Sequence, residues 1–542
     1  MRIKTPSIYV FIISVIFLLG LLLRVVSLQN FPPGFNADEA ALGYNAYSII
    51  QTGKDEWGQT LPLVFKSFSD YKPGLYVYLD IPFVYLFGLN ELAVRLPSII
   101  LGSFSIILIY LLSKLLFKKE VVALSTAFLL AISPWHLHFS RGAWEANVAT
   151  FFMLLGVFSF LKSFTNRRFL WVSALAFIAS MYVYQSTRLV TPALLLLIGL
   201  FHWKRLLIKK NILIITASFI LLLPLILILP TTAGLARLKG VSIFSDPGPI
   251  NRANEERGQH QDPDSISAKF FHNYFFTYSK SYFKHYTDHM SPDFLFISGG
   301  SLKRNEEPNM GQMYRFEIIT LLLGLYFLFR NKFKDSEIII LWFIVAPIAS
   351  SLTFQTPDAH RSHNMVIPLI LVSGSGLGFL IEKIWQIKKI FRSIFLILLF
   401  FIISFFVVDY MDNYYVHLPK EYALEWEYGF SQMVPYVLEN QNKYQKIVIT
   451  DRYDQPYILL LFYSKYDPTK YQRMIKKEGD NKFGFTTVTN FDKYEFRPVS
   501  QEEVLNDRNT LFVGTGEEIK QGNVLKTINF PNGSPAFKIT GI

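Results

Sequence analysis

Two adjacent carboxylates stand near the beginning of the chain, Asp38 and Glu39, inside a short polar stretch at residues 36–40. A carboxylate beside a substrate hydroxyl can act as a general base, and carboxylates also bind divalent cations. Acidic residues are equally favoured in the first turn of a helix, where they complement the helix dipole. Asp38 and Glu39 are therefore candidate catalytic residues, with a helix N-terminus as the alternative interpretation.

Further along the chain, single cations occur at points where a phosphate could bind. Lys72 precedes the pair Pro73-Gly74, and Arg141 precedes Glu145 by four residues. The planar guanidinium of arginine suits a phosphate, and Glu145 would then bind a sugar or a metal. The alternatives are a lysine that anchors the membrane interface and an Arg141–Glu145 ion pair on one helical face.

Polar residues also stand at the ends of two later apolar segments. Gln185 and Arg188 follow one of them, and His360 and Arg361 precede another. A histidine and an arginine together at a membrane surface can hold an anionic headgroup. These four residues are candidates for contacts to an anionic substrate, although a lone histidine is more often structural.

A metal centre is only weakly indicated by the sequence. His285 and His289 have the spacing of ligands on one helix turn, but no further ligand accompanies them. The chain has no cysteine, which excludes disulfides, cysteine nucleophiles and thiolate metal sites. A divalent cation at the acidic pair stays open.

The elements that must position these residues are long apolar segments. Of the 542 residues, 51% are hydrophobic and only 17% are charged, whereas soluble domains carry about 25% charged residues. About eleven segments approach the length of a membrane span, which needs about 20 apolar residues. They are Tyr9–Leu28, Ser98–Phe117, Val121–Ser133, Val148–Leu161, Phe169–Tyr184, Leu189–Trp203, Ile212–Leu229, Phe316–Phe329, Ile338–Phe354, Met365–Ile381 and Ile394–Val408. We expect a polytopic α-helical membrane protein.

Clusters of lysine and arginine occupy every second connection between these segments, as expected for cytoplasmic loops. This alternation places two polar loops, residues 29–74 and 230–315, and the tail on the outer side. The apolar stretch Leu75–Leu89 would break the alternation if it crossed the membrane. We therefore expect it to be a helix along the outer interface. The net charge of +12 is explained by the lysine and arginine clusters of the cytoplasmic loops, and no nucleic-acid binding is expected.

The chain is expected to divide into a membrane domain, residues 1–409, and an extracytoplasmic domain, residues 410–542. In the second domain, Lys446–Thr450, Thr510–Gly514 and Val524–Ile528 are predicted strands, and Pro456–Tyr466 is a predicted helix. Asn532-Gly533 has the composition of a hairpin turn. A small α/β domain follows from this alternation.

Three motifs in the first part of the chain carry a family resemblance. They are Ala37-Asp38-Glu39, Lys72-Pro73-Gly74-Leu75-Tyr76 and Ala93-Val94-Arg95-Leu96-Pro97-Ser98. In this order they resemble the family 39 glycosyltransferases, which include the protein O-mannosyltransferases and the lipid A aminoarabinose transferase. The resemblance extends over roughly the first 190 residues and implies the GT-C fold, with an active site on the outer side of the membrane.

The resemblance also implies roles for individual residues. Asp38 would activate or orient the acceptor hydroxyl, and Lys72 would hold the phosphate of a polyprenyl-phosphate sugar donor. Arg141 and Glu145 match the second outer loop of the family, where a basic residue and an acid flank the site. Arg361 corresponds to the family pattern more loosely. Many relatives have an acid or a histidine directly before the Lys-Pro, where this chain has Tyr71, so metal dependence is left open.

The combined prediction is an inverting glycosyltransferase of the cell membrane, active on the extracytoplasmic side, whose acceptor is a lipid, a glycan or a protein. Supporting contacts are expected from Arg95, Gln185, Arg188 and His360. The alternative is a transporter or flippase of polyprenyl-linked sugars. Transporters usually carry charges near the bilayer midplane and have inverted repeats. Here the charges stand at the ends of the spans and no repeat is visible, which favours the enzyme.

Overall fold

A computed structural model describes residues 5–68, 70–206, 208–231, 234, 240–475, 478–480 and 486–541. Their contacts divide the chain into two compact units. The first unit comprises Met1–Leu23, Leu101–Phe139 and Ala146–Val408, and contains most of the apolar helices. The second comprises Arg24–Ile100, Ser140–Glu145 and Asp409–Ile542. The first polar loop and the tail therefore belong to one unit.

Each predicted apolar segment overlaps a helix, although Ile338–Phe354 is divided between Glu337–Val345 and Ile348–Ser351. These helices are Thr5–Val25, Glu91–Phe117, Glu120–Ile132, Glu145–Lys162, Phe169–Val183, Thr187–Leu206, Ile212–Ile228, Glu317–Asn331, Glu337–Val345, Val366–Trp385 and Lys389–Asp412. In the described residues, six helices are long and apolar enough to cross a membrane. A seventh is added if Glu120–Ile132 and Pro134–Arg141, which meet at a bend of 53°, form one span. The protein is a multi-pass membrane protein, and the count of eleven crossings stays a prediction.

Small residues allow the helices of the first unit to pack closely. The helix Val366–Trp385 is buried along most of its length and carries several glycines. A side chain at Gly376 would collide with the backbone of Thr320, and one at Gly374 would collide with Thr126. Close approach through small residues is a common way for membrane helices to associate. Ser373 adds a buried hydroxyl bond to Thr320, with 2.6 Å between the oxygens.

The first loop of the second unit folds as a helix, a hairpin and another helix. The helix Ala37–Thr52 is followed by the antiparallel strands Val64–Ser67 and Asp70–Pro73, and then by the helix Leu75–Phe87. The last helix matches the segment that we expected at the interface. At 13 residues it is about 20 Å long, which is shorter than the hydrocarbon core of a bilayer.

The tail of the second unit is an α/β domain, as predicted. A six-stranded sheet is ordered Asn490–Phe491, Tyr494–Phe496, Lys446–Ile449, Thr510–Gly514, Pro535–Thr540 and Val524–Asn529. The strand Lys446–Ile449 is parallel to both of its neighbours, and the remaining pairs are antiparallel. The predicted turn at Asn532-Gly533 joins the last two strands, and Gly533 has a φ of 88°. The predicted helix is present as Pro456–Ser464.

The loop and the tail pack together through aromatic side chains. Phe35 lies 4.6 Å from Phe462 between ring centroids, and the Tyr44 hydroxyl donates to the Tyr466 carbonyl at 3.0 Å. The helix Ala37–Thr52 is therefore supported by the tail helix Pro456–Ser464. Other short helices are Gly248–Gly258, Ile266–Phe271, Tyr274–Asp288, Ile348–Ser351, Leu418–Glu421, Phe430–Asn440, Pro468–Met474 and Gln501–Asn506.

Candidate active site

The acidic pair lies in the first turn of the helix Ala37–Thr52, so the helix N-terminus interpretation is correct for its backbone. The Asn36 side chain accepts from the Glu39 backbone at 3.1 Å, and the Glu39 carboxylate accepts from the Asn36 backbone at 3.3 Å. This reciprocal arrangement is a capping box. Adjacent helical side chains point in different directions. As a result the Asp38 side chain is 32% exposed, whereas that of Glu39 is 1% exposed.

Glu39 is fully engaged in the interior of the second unit. Its carboxylate accepts from Arg95 Nε at 2.9 Å, from Arg95 Nη2 at 3.0 Å and from the Ala143 amide at 2.8 Å. Arg95 also donates to the Gly34 carbonyl at 2.6 Å. A buried, bidentate arginine–carboxylate pair fixes geometry strongly. Glu39 therefore holds the first turn of its helix in place, and its side chain does not face solvent.

Asp38 is instead paired with Lys72, at 2.6 Å between the carboxylate and Nζ. The hairpin positions this lysine, because Lys72 stands opposite Phe65 in the second strand. Burial lowers the pKa of Lys72, but the nearby carboxylates of Asp38 and Glu145 raise it by more, and the pKa lies above its usual value. The ammonium therefore stays charged. Asp38 and Lys72 form a partly exposed pair of opposite charges beside a buried structural pair.

Two buried acids near this pair were missed by the sequence analysis. The Glu56 carboxylate accepts from Asn45 Nδ2 at 3.4 Å, and burial, followed by Asp55, raises its pKa to about 8. Asp80 is fully buried and interacts electrostatically with Glu145 and Glu39. Within the described residues neither of its carboxylate oxygens has a hydrogen-bond partner. Asp80 could have been noticed, since it is a charged residue inside an apolar helix.

Arg141 and Glu145 do not share a helix, so the alternative interpretation of an ion pair on one helical face is wrong. Arg141 ends the helix Pro134–Arg141, and Glu145 begins the next helix. The break passes beside Glu39, where a side chain at Gly142 would meet the carboxylate and the Trp144 ring. Sequence spacing alone did not reveal this break.

Arg141 is buried and held by main-chain and tyrosine oxygens. Its Nη2 donates to the carbonyls of Val26 at 2.8 Å and Phe31 at 2.9 Å, and its Nε donates to the Tyr414 hydroxyl at 3.1 Å. The guanidinium also lies over the rings of Tyr414 and Tyr415, at 5.1 and 5.5 Å. Arg141 therefore connects the beginning of the first loop to the start of the tail.

The remaining candidates lie in the first unit. Arg361 donates from Nε to Asp358 at 3.2 Å and from Nη1 to the Thr353 hydroxyl at 2.9 Å. His360 is stacked on Phe139 with 5.6 Å between centroids, and its Nδ1 lies 3.4 Å from the Tyr184 hydroxyl. Arg361 and His360 thus form one polar cluster with their neighbours.

Gln185 and Arg188 follow Tyr184 in the same unit. Arg188 is the second residue of the helix Thr187–Leu206, and its Nε donates to the Met181 carbonyl at 3.2 Å. Gln185 belongs to the short connection before that helix and is partly exposed. Of the predicted residues, the second unit therefore contains Asp38, Glu39, Lys72, Arg95, Arg141 and Glu145, and the first contains the others.

The two histidines with ligand spacing do not form a metal site together. His289 Nδ1 bonds to the His285 carbonyl at 2.7 Å, and its Nε2 bonds to the Ser350 hydroxyl at 2.6 Å. Both ring nitrogens of His289 are thus occupied by the protein. The spacing reflects hydrogen bonding along the helix.

Comparison with known proteins places the fold. Residues 72–230 match a family model described as dolichyl-phosphate-mannose-protein mannosyltransferase, and the match begins at Lys72. No curated protein sequence matches the chain. Among solved structures, ArnT from Cupriavidus metallidurans bound to undecaprenyl phosphate is 10% identical with a TM-score of 0.50, and the alignment covers 99% of this chain and 98% of that one.

Two structures of the Archaeoglobus fulgidus oligosaccharyltransferase are also similar. The AglB complex with an inhibitory peptide and a dolichol-phosphate is 13% identical with a TM-score of 0.52, covering 85% of this chain and 64% of that one. The form tethered to an acceptor peptide is 12% identical with a TM-score of 0.54, covering 98% and 74%. These likenesses confirm the predicted GT-C fold.

Proposed function

We propose that the chain is a GT-C glycosyltransferase that moves a sugar from a polyprenyl-phosphate donor to an acceptor hydroxyl, with inversion, on the outer face of the cytoplasmic membrane. The observation that carries this proposal is the Asp38–Lys72 pair, 2.6 Å apart and partly exposed. The reaction needs a group that accepts a proton, which Asp38 can be, and a cation that stabilises the leaving phosphate, which Lys72 can be. ArnT with its undecaprenyl phosphate and AglB with its dolichol-phosphate support a lipid phosphate as the donor group.

The proposed reaction is a single displacement. The acceptor oxygen attacks the anomeric carbon, the bond from that carbon to the phosphate oxygen breaks, and the acceptor proton passes to the Asp38 carboxylate. The lipid phosphate leaves with an additional negative charge, which the Lys72 ammonium stabilises. One displacement inverts the configuration at the anomeric carbon. A general base contributes about a hundred- to ten-thousand-fold to such a step.

The buried residues around the pair set its geometry. The Glu39–Arg95 pair fixes the first turn that carries Asp38, so Glu39 and Arg95 act as positioning residues in this proposal. Glu145 interacts electrostatically with Lys72 and helps to raise the pKa of its ammonium group. Arg141 donates hydrogen bonds to the carbonyls of Val26 and Phe31 and to the Tyr414 hydroxyl. We propose that it holds the first loop and the start of the tail together, in addition to its predicted contact with the donor phosphate.

The residues of the first unit retain their predicted roles. Arg361 is buried and forms a polar cluster with the partly exposed His360, and an arginine of this kind suits a phosphate group. Gln185 and Arg188 are proposed to support that contact. A substitution of Arg361 that lowers donor affinity without lowering protein yield would support this assignment.

The test of the proposal supplies the purified protein with a panel of polyprenyl-phosphate sugars and measures which donor is consumed. Asp38→Asn should remove the consumption, because asparagine cannot take the acceptor proton. Asp492→Asn is the matched control, because Asp492 also lies 2.6 Å from a lysine and is 33% exposed, in the sheet domain of the tail. Normal consumption by Asp38→Asn, or loss of consumption in the control alone, would contradict the proposal.

A further inference from the structure

Three side chains of the first unit converge where two helix ends meet. His202, Asp335 and Glu337 each direct one ligand atom to a common point, and these atoms lie within 4.8 Å of one another. His202 Nε2 is 3.8 Å from Glu337 Oε1. No other set of three histidine, aspartate or glutamate side chains in the described residues meets this distance. The cluster is separate in sequence from all residues assigned to the transferase reaction.

The backbone around His202 differs from a regular helix. His202 belongs to the helix Thr187–Leu206, but its φ of −119° and ψ of 20° depart from helical values. Its ring packs against two phenylalanines, 5.6 Å from Phe160 and 5.3 Å from Phe164 between centroids. The side chain is 8% exposed. This packing restrains the imidazole, whose Nε2 lies beside the Glu337 carboxylate.

The carboxylates come from the connection between Glu317–Asn331 and Glu337–Val345. Asp335 lies in the turn with a φ of 63°, and Glu337 is the first residue of the second helix. Lys332 and Lys334 are close in sequence, yet in the described part of the chain neither carboxylate forms an ion pair with a lysine or an arginine. Both carboxylates can therefore act as ligands together with His202.

We infer that His202, Asp335 and Glu337 bind a divalent cation of the zinc type, which links the two helix ends. One imidazole nitrogen and two carboxylate oxygens are a suitable ligand set for such an ion, with a water completing the coordination. Ligands about 2.1 Å from zinc in tetrahedral geometry lie roughly 3.4 Å apart. The 3.8 Å separation of His202 and Glu337 is close to this value, and the partly exposed carboxylates can close the remaining gap.

The experiment uses the full-length protein, stripped of metal with a chelator and then titrated with Co²⁺ and Zn²⁺ alone. Visible absorption of Co²⁺ reports its coordination, and displacement by Zn²⁺ reports the affinity. His260 and His272, whose Nε2 atoms are 3.0 Å apart, form another pair that can take up the probe. All variants are therefore made in a His272→Asn background.

The matched control is His417→Asn. His417 also contacts two carboxylates, Asp412 at 3.3 Å and Glu421 at 3.4 Å, but through opposite ring nitrogens. Those carboxylates cannot share an ion with the histidine, so the control should leave binding unchanged. Loss of a group that only contacts a metal ligand weakens metal binding by roughly 10- to 100-fold. His202→Asn removes a ligand itself, so it should weaken Co²⁺ and Zn²⁺ binding by more than this.

Glu337→Gln provides a second variant that does not disturb a buried ring, since its side chain is 37% exposed. It should weaken binding in the same sense, with an unchanged melting temperature in the absence of metal. Binding of about one ion per chain that depends on both His202 and Glu337 supports the site. No binding in the background protein, or equal binding in the Glu337→Gln protein, would overturn it.

Discussion

The adjacent residues Asp38 and Glu39 should respond in opposite ways to neutralisation. Asp38→Asn changes a partly exposed pair, and asparagine retains an oxygen that can accept from Lys72. The expected loss of stability is no more than about 1–2 kcal/mol. Turnover should fall by about a hundred- to ten-thousand-fold, because the acceptor of the proton is lost. Donor affinity should change little.

Glu39→Gln should mainly reduce stability. It breaks a buried pair in which the carboxylate accepts two bonds from Arg95, and it leaves that guanidinium with only the longer contact to the partly exposed Glu91, at 3.7 Å. Removal of one partner of a buried ion pair costs about 3–5 kcal/mol. Any protein that remains folded should still transfer sugar, at a rate reduced by misplacement of the first turn.

The assay pairs thermal unfolding of the purified variants with turnover per folded molecule. Asp492→Asn is carried through both measurements as the control for a surface carboxylate paired with lysine. The reasoning is refuted if Glu39→Gln is as stable as the parent protein but inactive. It is also refuted if Asp38→Asn unfolds early and keeps normal turnover per folded molecule.

Other predictions concern the neighbouring charges and the topology. Lys72→Ala should weaken binding of polyprenyl phosphate by about ten- to a hundredfold, since a charge-assisted bond is lost; unchanged affinity in folded protein would make Lys72 an interface anchor. Arg141→Lys should lower both the melting temperature and donor affinity, because lysine lacks the planar fork that reaches two carbonyls and Tyr414; a fully normal protein would contradict this. Glu56 should make the free energy of unfolding pH-dependent, because its carboxyl group keeps its proton to about pH 8 in the folded state but loses it near pH 4.5 in the unfolded chain. Stability should therefore fall as the pH rises between these values, by up to ~1.4 kcal/mol per pH unit. Glu56→Gln should remove this slope in thermal melts at several pH values. Reporter fusions after Asp409 and within residues 252–303 should signal from the outer compartment; a cytoplasmic signal would contradict the predicted orientation.

Much of the fold could be predicted because it depends on local composition. Apolar segments of span length coincide with helices, and the Asn532-Gly533 turn joins two strands as its residue types require. The break between the helices Pro134–Arg141 and Glu145–Lys162 was not predicted. The four-residue spacing of Arg141 and Glu145 suggested one continuous helix, but the chain leaves the helix at Gly142 and passes close to Glu39.

The site could be predicted only in part, since its geometry depends on contacts between distant residues. The motifs identified Asp38, Lys72 and Arg95, but not that Arg95 engages Glu39 and leaves Asp38 to Lys72. The acidic pair was interpreted as either a helix cap or a catalytic group. The structure gives the capping role to Glu39, which also carries the buried pair, and leaves Asp38 partly exposed. Which of the two carboxylates pairs with Arg95 depends on a contact between residues that are distant in the sequence.

The central claim is a direct displacement at the anomeric carbon in which Asp38 receives the proton and a lipid phosphate leaves. The most direct measurement is the anomeric configuration of the product, determined by nuclear magnetic resonance after transfer from a polyprenyl-phosphate sugar of known configuration. Asp38→Asn protein is assayed beside the parent protein. We expect an inverted product from the parent and none above background from the variant. A product of retained configuration, or transfer that does not depend on Asp38, would contradict the account.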